Sequence, residues 1–153
     1  MFIKNIIQAL NKQHVKYAVV GGYAVALHGA VRGTIDIDLV LYLEKAQFVG
    51  AEKALQALGL EPRLPVSAAE VFEFRQEYID NRNLIAWRFY NPRNPLEIVD
   101  IVLTHDLAQM NTITKTIEGL SIQLASLDDL IAMKRQSARP QDLEDIKALE
   151  KLR

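Results

Sequence analysis

Residues 32–41 read Arg32-Gly33-Thr34-Ile35-Asp36-Ile37-Asp38-Leu39-Val40-Leu41, and the expected architecture follows from this acidic segment. The alternation from Thr34 to Leu43 predicts a β-strand, in which successive side chains lie on opposite faces of the sheet. The apolar face carries Ile35, Ile37, Leu39 and Leu41. The other face carries Asp36 and Asp38, whose Cα atoms are expected about 6.6 Å apart.

Two carboxylates on one face of an apolar strand repel each other. A divalent cation between Asp36 and Asp38 would remove this repulsion, and Mg²⁺ prefers oxygen ligands of this kind. The alternative is an edge strand whose acidic face points to water. The spacing of the two acids by itself leaves both interpretations open.

A third carboxylate, that of Asp100, lies in the middle of a second apolar segment, residues 96–103. This segment is apolar on both faces, which is typical of a central strand. A buried carboxylate is costly unless a cation or hydrogen bonds compensate it. If the two strands are neighbours, Asp100 joins Asp36 and Asp38, and three carboxylates suffice for the two-metal sites of phosphoryl transfer. The alternative is an ion pair between Asp100 and Arg88.

Two glycines, Gly21 and Gly22, end the short apolar run Tyr17-Ala18-Val19-Val20. The run predicts a buried strand, and the glycines predict a turn into a short helix over residues 23–28. Such a turn lets backbone N–H groups approach a phosphate. Gly-Gly turns are common, so the position matters more: 13 residues separate Gly22 from Asp36.

The rest of the chain predicts interleaved helices and strands. Helices are expected over residues 2–10, 46–58, 126–137 and 140–152, strands over 84–90 and 96–103, and a strand pair bent at Gly119 over 115–124. Ser67 and Glu70 match the start of another helix. This order predicts an α/β (α+β) domain with a mixed central sheet flanked by helices and a C-terminal helix pair. We expect one domain, 1–153, with an α/β core (1–125) and a C-terminal helical part (126–153).

Composition excludes several classes of protein. The chain has 153 residues and a net charge of -1, which disfavours bulk electrostatic coating of DNA. It has no cysteine, so a disulfide framework, a thiolate zinc site and a cysteine nucleophile are ruled out. No signal peptide or membrane span is apparent, so a cytoplasmic protein without membrane association is expected.

The segment from Gly21 to Leu39 resembles the signature of the DNA polymerase β-like nucleotidyltransferase superfamily. That signature is a Gly-Gly or Gly-Ser turn, a short gap, then Asp-x-Asp, with a third acid on a later strand. The segment is most similar to the minimal bacterial branch, which includes abortive-infection toxins of the AbiEii type. Residues 127–134 and 139–146 are similar to the closing helix pair of that branch.

This resemblance implies a role for each matched residue. Gly21 and Gly22 would cradle the nucleotide phosphates, and Lys134 would contact the triphosphate. Asp36, Asp38 and Asp100 would bind Mg²⁺, and Asp100 would also help to activate the attacking hydroxyl. These residues are Gly21, Gly22, Asp36, Asp38, Asp100 and Lys134.

The implied reaction moves NMP from an NTP to an acceptor hydroxyl and releases pyrophosphate. The resemblance leaves the acceptor open among RNA (tRNA included), a protein side chain and a small molecule. It also implies a possible cognate antitoxin as partner.

Several residues keep a second interpretation. Lys134 can instead be a solvated lysine whose stem covers apolar surface. Arg32 can orient Asp36, meet a phosphate or form a plain salt bridge. A structural role is favoured for Arg139, Asp142 and Asp145, since acids in the first helical turn suit the helix dipole.

Two other functions remain open. One is an interaction module with this fold but no transfer activity, such as one half of a toxin–antitoxin pair. The other is a Mg²⁺-dependent phosphohydrolase, which would release free phosphate. The aromatic residues Trp87 and Phe89 are expected in the core and not in base stacking.

Overall fold

The computed structural model describes residues 1–30, 33 and 36–153. Arg32, Thr34 and Ile35 of the acidic segment lie outside the described residues, so the expectations for them are not addressed. The helices are α1 (Phe2–Lys12), α2 (Gly21–Leu27), α3 (Lys45–Ala57), α4 (Ala68–Glu73), α5 (Arg75–Arg82), α6 (Leu127–Ser137) and α7 (Pro140–Glu150). The strands are β1 (Tyr17–Val20), β2 (Ile37–Leu41), β3 (Glu61–Pro62), β4 (Ala86–Asn91), β5 (Asn94–Val102), β6 (Thr112–Ile117) and β7 (Leu120–Ala125).

Within the described residues the strands form one seven-stranded sheet in the order β3-β4-β5-β2-β1-β7-β6. β2 runs parallel to β5, and β1 runs parallel to β7. The other neighbours, including β1 with β2, are antiparallel. The predicted mixed α/β sheet flanked by helices is therefore confirmed.

The acidic segment lies in the middle of this sheet. β2 pairs with β1 on one side and with β5 on the other. Ile37, Leu39 and Leu41 are buried, as the alternation predicts. The edge-strand interpretation of the two acids is therefore wrong, because both sides of β2 are covered by neighbouring strands.

The hydrophobic core forms where the helices cover the sheet. α1 buries Ile3, Ile6, Ile7 and Leu10, a helical spacing that places all four on one face. Trp87 of β4 stacks on Phe48 of α3 with ring centroids 6.1 Å apart and meets Phe89 edge-on at 4.6 Å. Trp87 and Phe89 thus pack in the core, as expected.

The strands and helices of the last third of the chain lie where the sequence predicts them. β6 and β7 form a hairpin whose turn contains Gly119 at a φ of 80°. Ser126 caps α6 by accepting a hydrogen bond from the Asp129 backbone, and Pro140 opens α7. None of the helices that the structure describes is long and apolar enough to cross a bilayer.

Candidate active site

One transverse row of residues runs across four strands of the sheet. On β2, Asp38 pairs with Val20 of β1 on one side and with Asp100 of β5 on the other. Asp100 in turn pairs with Arg88 of β4. Because paired residues on neighbouring strands lie on the same face, these side chains share one surface. Asp36, two residues before Asp38, is expected on that face too.

The row ends at the glycine turn. Gly21 follows Val20 directly and adopts a φ of 68°, a left-handed conformation that favours glycine. A Cβ atom built on Gly21 would lie 2.0 Å from Oδ2 of Asp38. The backbone of the turn therefore approaches the Asp38 carboxylate more closely than any other residue type permits.

Arg88 joins two of the three acids. Its Nε donates to Oδ1 of Asp100 at 2.8 Å, and its Nη2 donates to Oδ2 of Asp100 at 2.9 Å. The same Nη2 also donates to Oδ2 of Asp36 at 3.2 Å. The ion pair between Arg88 and Asp100, one of the two alternatives for Asp100, is thus present and extends to Asp36.

Asp38 has a different environment. Among the residues that the structure describes, none donates a hydrogen bond to its carboxylate. The pKa of Asp38 is raised to about 7, chiefly by burial and further by the negative charges of Asp100 and Asp36. The positive charges of Lys134 and Arg88 lower the pKa but do not offset the rise. The Asp38 carboxylate is therefore poised to accept a proton or a cation.

Lys134 lies buried at the junction of α6 and α7. Its side chain is only 7% exposed, and its Nζ lies 3.4 Å from Oδ1 of Asp142 and 2.9 Å from Oδ2 of Asp145. It is close enough to lower the pKa of Asp38. The solvated-lysine alternative is therefore wrong, and Lys134 links the C-terminal helix pair electrostatically to the acidic row.

Asp142 also caps its own helix. Its Oδ2 accepts hydrogen bonds from the backbone N–H and the Nε of Arg139. Burial alone would raise the pKa of Asp142, but these bonds, with Ser137 and Lys134, hold it below the usual carboxyl range. Asp142 thus has the capping contact that the sequence favoured, and Arg139, Asp142 and Asp145 all belong to the network around Lys134.

The structure thus brings the matched residues Gly21, Asp38 and Asp100 into one place and puts Lys134 nearby. Within the described part of the chain, no three His, Asp or Glu side chains are gathered closely enough to bind a metal ion as they stand. The guanidinium of Arg88 lies between Asp36 and Asp100 instead. The sequence predicted Arg88 only as a partner of Asp100. Its additional contact with Asp36 was indicated only by the position of a basic residue among the buried aromatic residues of an apolar strand.

The donor chemistry nevertheless fits a hard divalent cation. Asp36, Asp38 and Asp100 supply carboxylate oxygens, the ligands that Mg²⁺ prefers. The raised pKa of Asp38 marks a carboxylate whose charge is poorly compensated by its surroundings. Metal binding would supply that compensation.

Comparison with known proteins agrees with this geometry. The family model described as nucleotidyl transferase of unknown function (DUF2204) matches residues 2–153. No match was found among curated proteins. Among solved structures, the antibiotic-resistance factor ANT(2'')-Ia is 15% identical with a TM-score of 0.66, and the match covers 97% of this chain and 80% of that one.

Two further structures show the same likeness. The lincosamide antibiotic adenylyltransferase LnuA is 16% identical with a TM-score of 0.64, covering 99% of this chain and 96% of that one. An antigenic nucleotidyltransferase-like protein from Paracoccidioides brasiliensis is 20% identical with a TM-score of 0.58, covering 97% and 74%. At these identities the structures establish the fold alone. With the family model spanning nearly the whole chain, the protein belongs to the DUF2204 nucleotidyl transferase family and is a nucleotidyltransferase.

Proposed function

We propose that this enzyme transfers NMP from an NTP to an acceptor hydroxyl in a Mg²⁺-dependent reaction that releases pyrophosphate. The observation that carries the proposal is the transverse row, in which Asp38 and Asp100 are side by side and the Gly21 backbone lies against Asp38. Paired carboxylates suit a divalent cation, and a closely approaching glycine backbone suits the phosphates that such a cation accompanies.

Asp36, Asp38 and Asp100 are the residues that would hold the cation, as one or two ions. Bound there, Mg²⁺ would supply charge neutralisation for the triphosphate and its leaving group. The side chain of Asp100 is 11% exposed, and that of Asp36 is 36% exposed, so the acidic row can be reached from outside. We assign Asp100 the additional task of accepting the proton of the attacking hydroxyl.

The remaining roles concern the phosphates. Gly21 and Gly22 begin α2, where backbone N–H groups have no partner within the helix, and we assign these groups to the phosphate oxygens. Lys134 has three donors; it donates a hydrogen bond to Asp142 and forms an ion pair with Asp145, and we assign one of its remaining donors to the triphosphate. Holding this lysine in buried ion pairs would fix its position before the nucleotide arrives.

The finer assignments follow the sequence resemblance. We propose that residues 1–153 act as one nucleotidyltransferase domain, with residues 126–153 completing the site, in the cytoplasm and without membrane contact. We place the chain near the AbiEii-like branch, which makes a cognate antitoxin a candidate partner. The acceptor is RNA (tRNA included), a protein side chain or a small molecule.

The small-molecule class has concrete examples to test. One solved structure of ANT(2'')-Ia holds adenylyl-2''-tobramycin, and LnuA has been solved with lincomycin bound. Hydroxyl-bearing antibiotics of these two kinds therefore belong in the acceptor panel beside tRNA and a protein lysate.

The test is incubation of the purified protein with each labelled NTP, Mg²⁺ and the acceptor panel. The wild type should label an acceptor and release pyrophosphate, whereas Asp36→Asn and Asp38→Asn should lose both activities and remain folded. Asp80→Asn, which changes an exposed acid on α5, is the matched control and should retain activity. A wild type that binds neither NTP nor Mg²⁺ would disprove the proposal, and release of free phosphate would favour a phosphohydrolase.

A second candidate is an interaction module without transfer activity. It is favoured by the contacts of Arg88, whose positive charge already compensates part of the negative charge of Asp36 and Asp100. Copurification of a partner encoded next to this chain, together with the absence of NTP-dependent labelling, would favour this candidate over the enzyme.

A further inference from the structure

The guanidinium of Arg88 lies between Asp36 and Asp100, two of the acids that would hold a cation. It makes a two-bond contact with Asp100 and a third bond to Asp36, with donor–acceptor distances of 2.8, 2.9 and 3.2 Å. Planar two-bond pairs of this type are among the stronger and more directional ion pairs in proteins. The positive charge of Arg88 therefore compensates the negative charges of Asp36 and Asp100, as a bound metal ion would.

The backbone explains why this residue is in place. Arg88 is the antiparallel partner of Asp100 in the β4–β5 ladder, so both side chains stand on the same face. The two flanking residues, Trp87 and Phe89, point into the core and are 1% and 0% exposed. The alternation of β4 thus fixes Arg88 toward the acidic row.

The exposure of the three side chains shows which contact is easier to break. The Asp100 side chain is 11% exposed, whereas those of Asp36 and Arg88 are 36% and 40% exposed. Arg88 holds Asp100 with two bonds and Asp36 with one longer bond. An incoming cation can therefore displace the guanidinium from Asp36 first, while its exposed end remains free to turn outward.

We propose that Arg88 is a positioning residue that acts as a built-in counter-ion: it holds Asp36 and Asp100 together in the metal-free protein and gives up Asp36 when the divalent cation arrives. The inference rests on the proposed function of the acidic row. Its consequence is that the protein without nucleotide binds divalent cations weakly, because each ion must compete with a positive charge that is already in place.

The test measures cation binding and not activity. Wild-type protein, Arg88→Gln and Arg88→Lys are titrated with MnCl₂ alone in a calorimeter, without nucleotide. Arg88→Gln removes the competing charge and should bind Mn²⁺ about tenfold more tightly or better than the wild type. Arg88→Lys keeps the charge and should stay within about threefold of the wild type.

The control is Arg135→Gln, which removes the same charge from a surface ion pair with Glu150 and should leave Mn²⁺ affinity unchanged. Circular dichroism verifies that each variant is folded, and if Arg88→Gln does not fold, tighter binding by Arg88→Ala decides instead. If the folded neutral variant binds Mn²⁺ no more tightly than the wild type, the inference is overturned. The proposed function stands in that case, provided that the wild type binds Mn²⁺. If neither the wild type nor the neutral variant binds Mn²⁺, the inference fails, whereas the proposed function is decided separately by NTP binding and acceptor labelling.

Discussion

Replacing Gly21 with alanine tests the close approach of the glycine turn to the acidic row. The new methyl group would lie 2.0 Å from Oδ2, 2.9 Å from Cγ and 3.1 Å from Cβ of Asp38. The Asp38 side chain would have to leave its present position, because no real Cβ contact is that short. We expect a loss of stability and a loss of NTP and Mg²⁺ binding together.

Two contributions set the size of the effect. The left-handed φ of 68° costs an alanine roughly 1–2 kcal/mol. Forcing Asp38 off its rotamer adds about 0.5–1.5 kcal/mol. The free energy of unfolding should therefore fall by about 1.5–3.5 kcal/mol.

A matched variant separates these two contributions. Gly59 has a φ of 86°, and a Cβ atom there would meet nothing within 4 Å. Gly59→Ala should therefore cost the backbone contribution alone, about 1–2 kcal/mol. Adding Asp38→Ala to Gly21→Ala should recover the difference, since the displaced carboxylate is gone.

The assay is urea denaturation of five proteins, with NTP and Mg²⁺ binding measured on the same samples: the wild type, Gly21→Ala, Asp38→Ala, the double variant and Gly59→Ala. The energies are compared as a double-mutant cycle between positions 21 and 38. Our reasoning is refuted if Gly21→Ala is no more destabilising than Gly59→Ala and still binds nucleotide.

The remaining predictions concern the charges around the row. Asp38 has a pKa of about 7 in the folded protein, above its usual 3.8, so its contribution to stability is present at pH 4 and is lost as the pH rises through 7. At pH 8, Asp38→Asn should therefore be more stable than the wild type, with a free energy of unfolding higher by at most ~4 kcal/mol. At pH 4, urea denaturation should show little difference between the two proteins. Lys134→Met leaves Asp142 and Asp145 buried without their cation and should cost about 3–5 kcal/mol by thermal or urea unfolding, with partial recovery on adding Asp145→Asn. Because the pKa of Asp142 is lowered, its stabilisation is present above the usual carboxyl range and lost as the pH falls below it, so Asp142→Asn should flatten the acid-unfolding curve below pH 4.

Local patterns predicted much of the fold. The apolar run before Gly21, the alternation around Asp38 and the helix signals at Ser126 and Pro140 each depend on neighbours in sequence, and the structure has an element at each place. α5 was not predicted: residues 75–82 contain no buried residue, so the chain has no hydrophobic period there. The two-residue strand β3 exists only because it pairs with β4.

The site residues divide along the same line. Asp36, Asp38 and the glycine turn could be named from one continuous segment, because their spacing alone suggests the chemistry. The link between Lys134 and Asp145, and the contact of Arg88 with Asp36, depend on how separate elements pack. The sequence does not show which charged side chains become partners when they lie on different helices or strands.

The pairing of Arg88 with Asp100 depends on the length of the turn between β4 and β5. β4 and β5 are joined by a tight turn at Asn91–Asn94, where the register already shifts once. Inserting a single residue there would slide the ladder by one position and move every side chain of β4 to the opposite face. Arg88 would then point into the core and Trp87 toward the acids. A one-residue insertion in this hairpin should accordingly abolish the ion pair between Arg88 and Asp100.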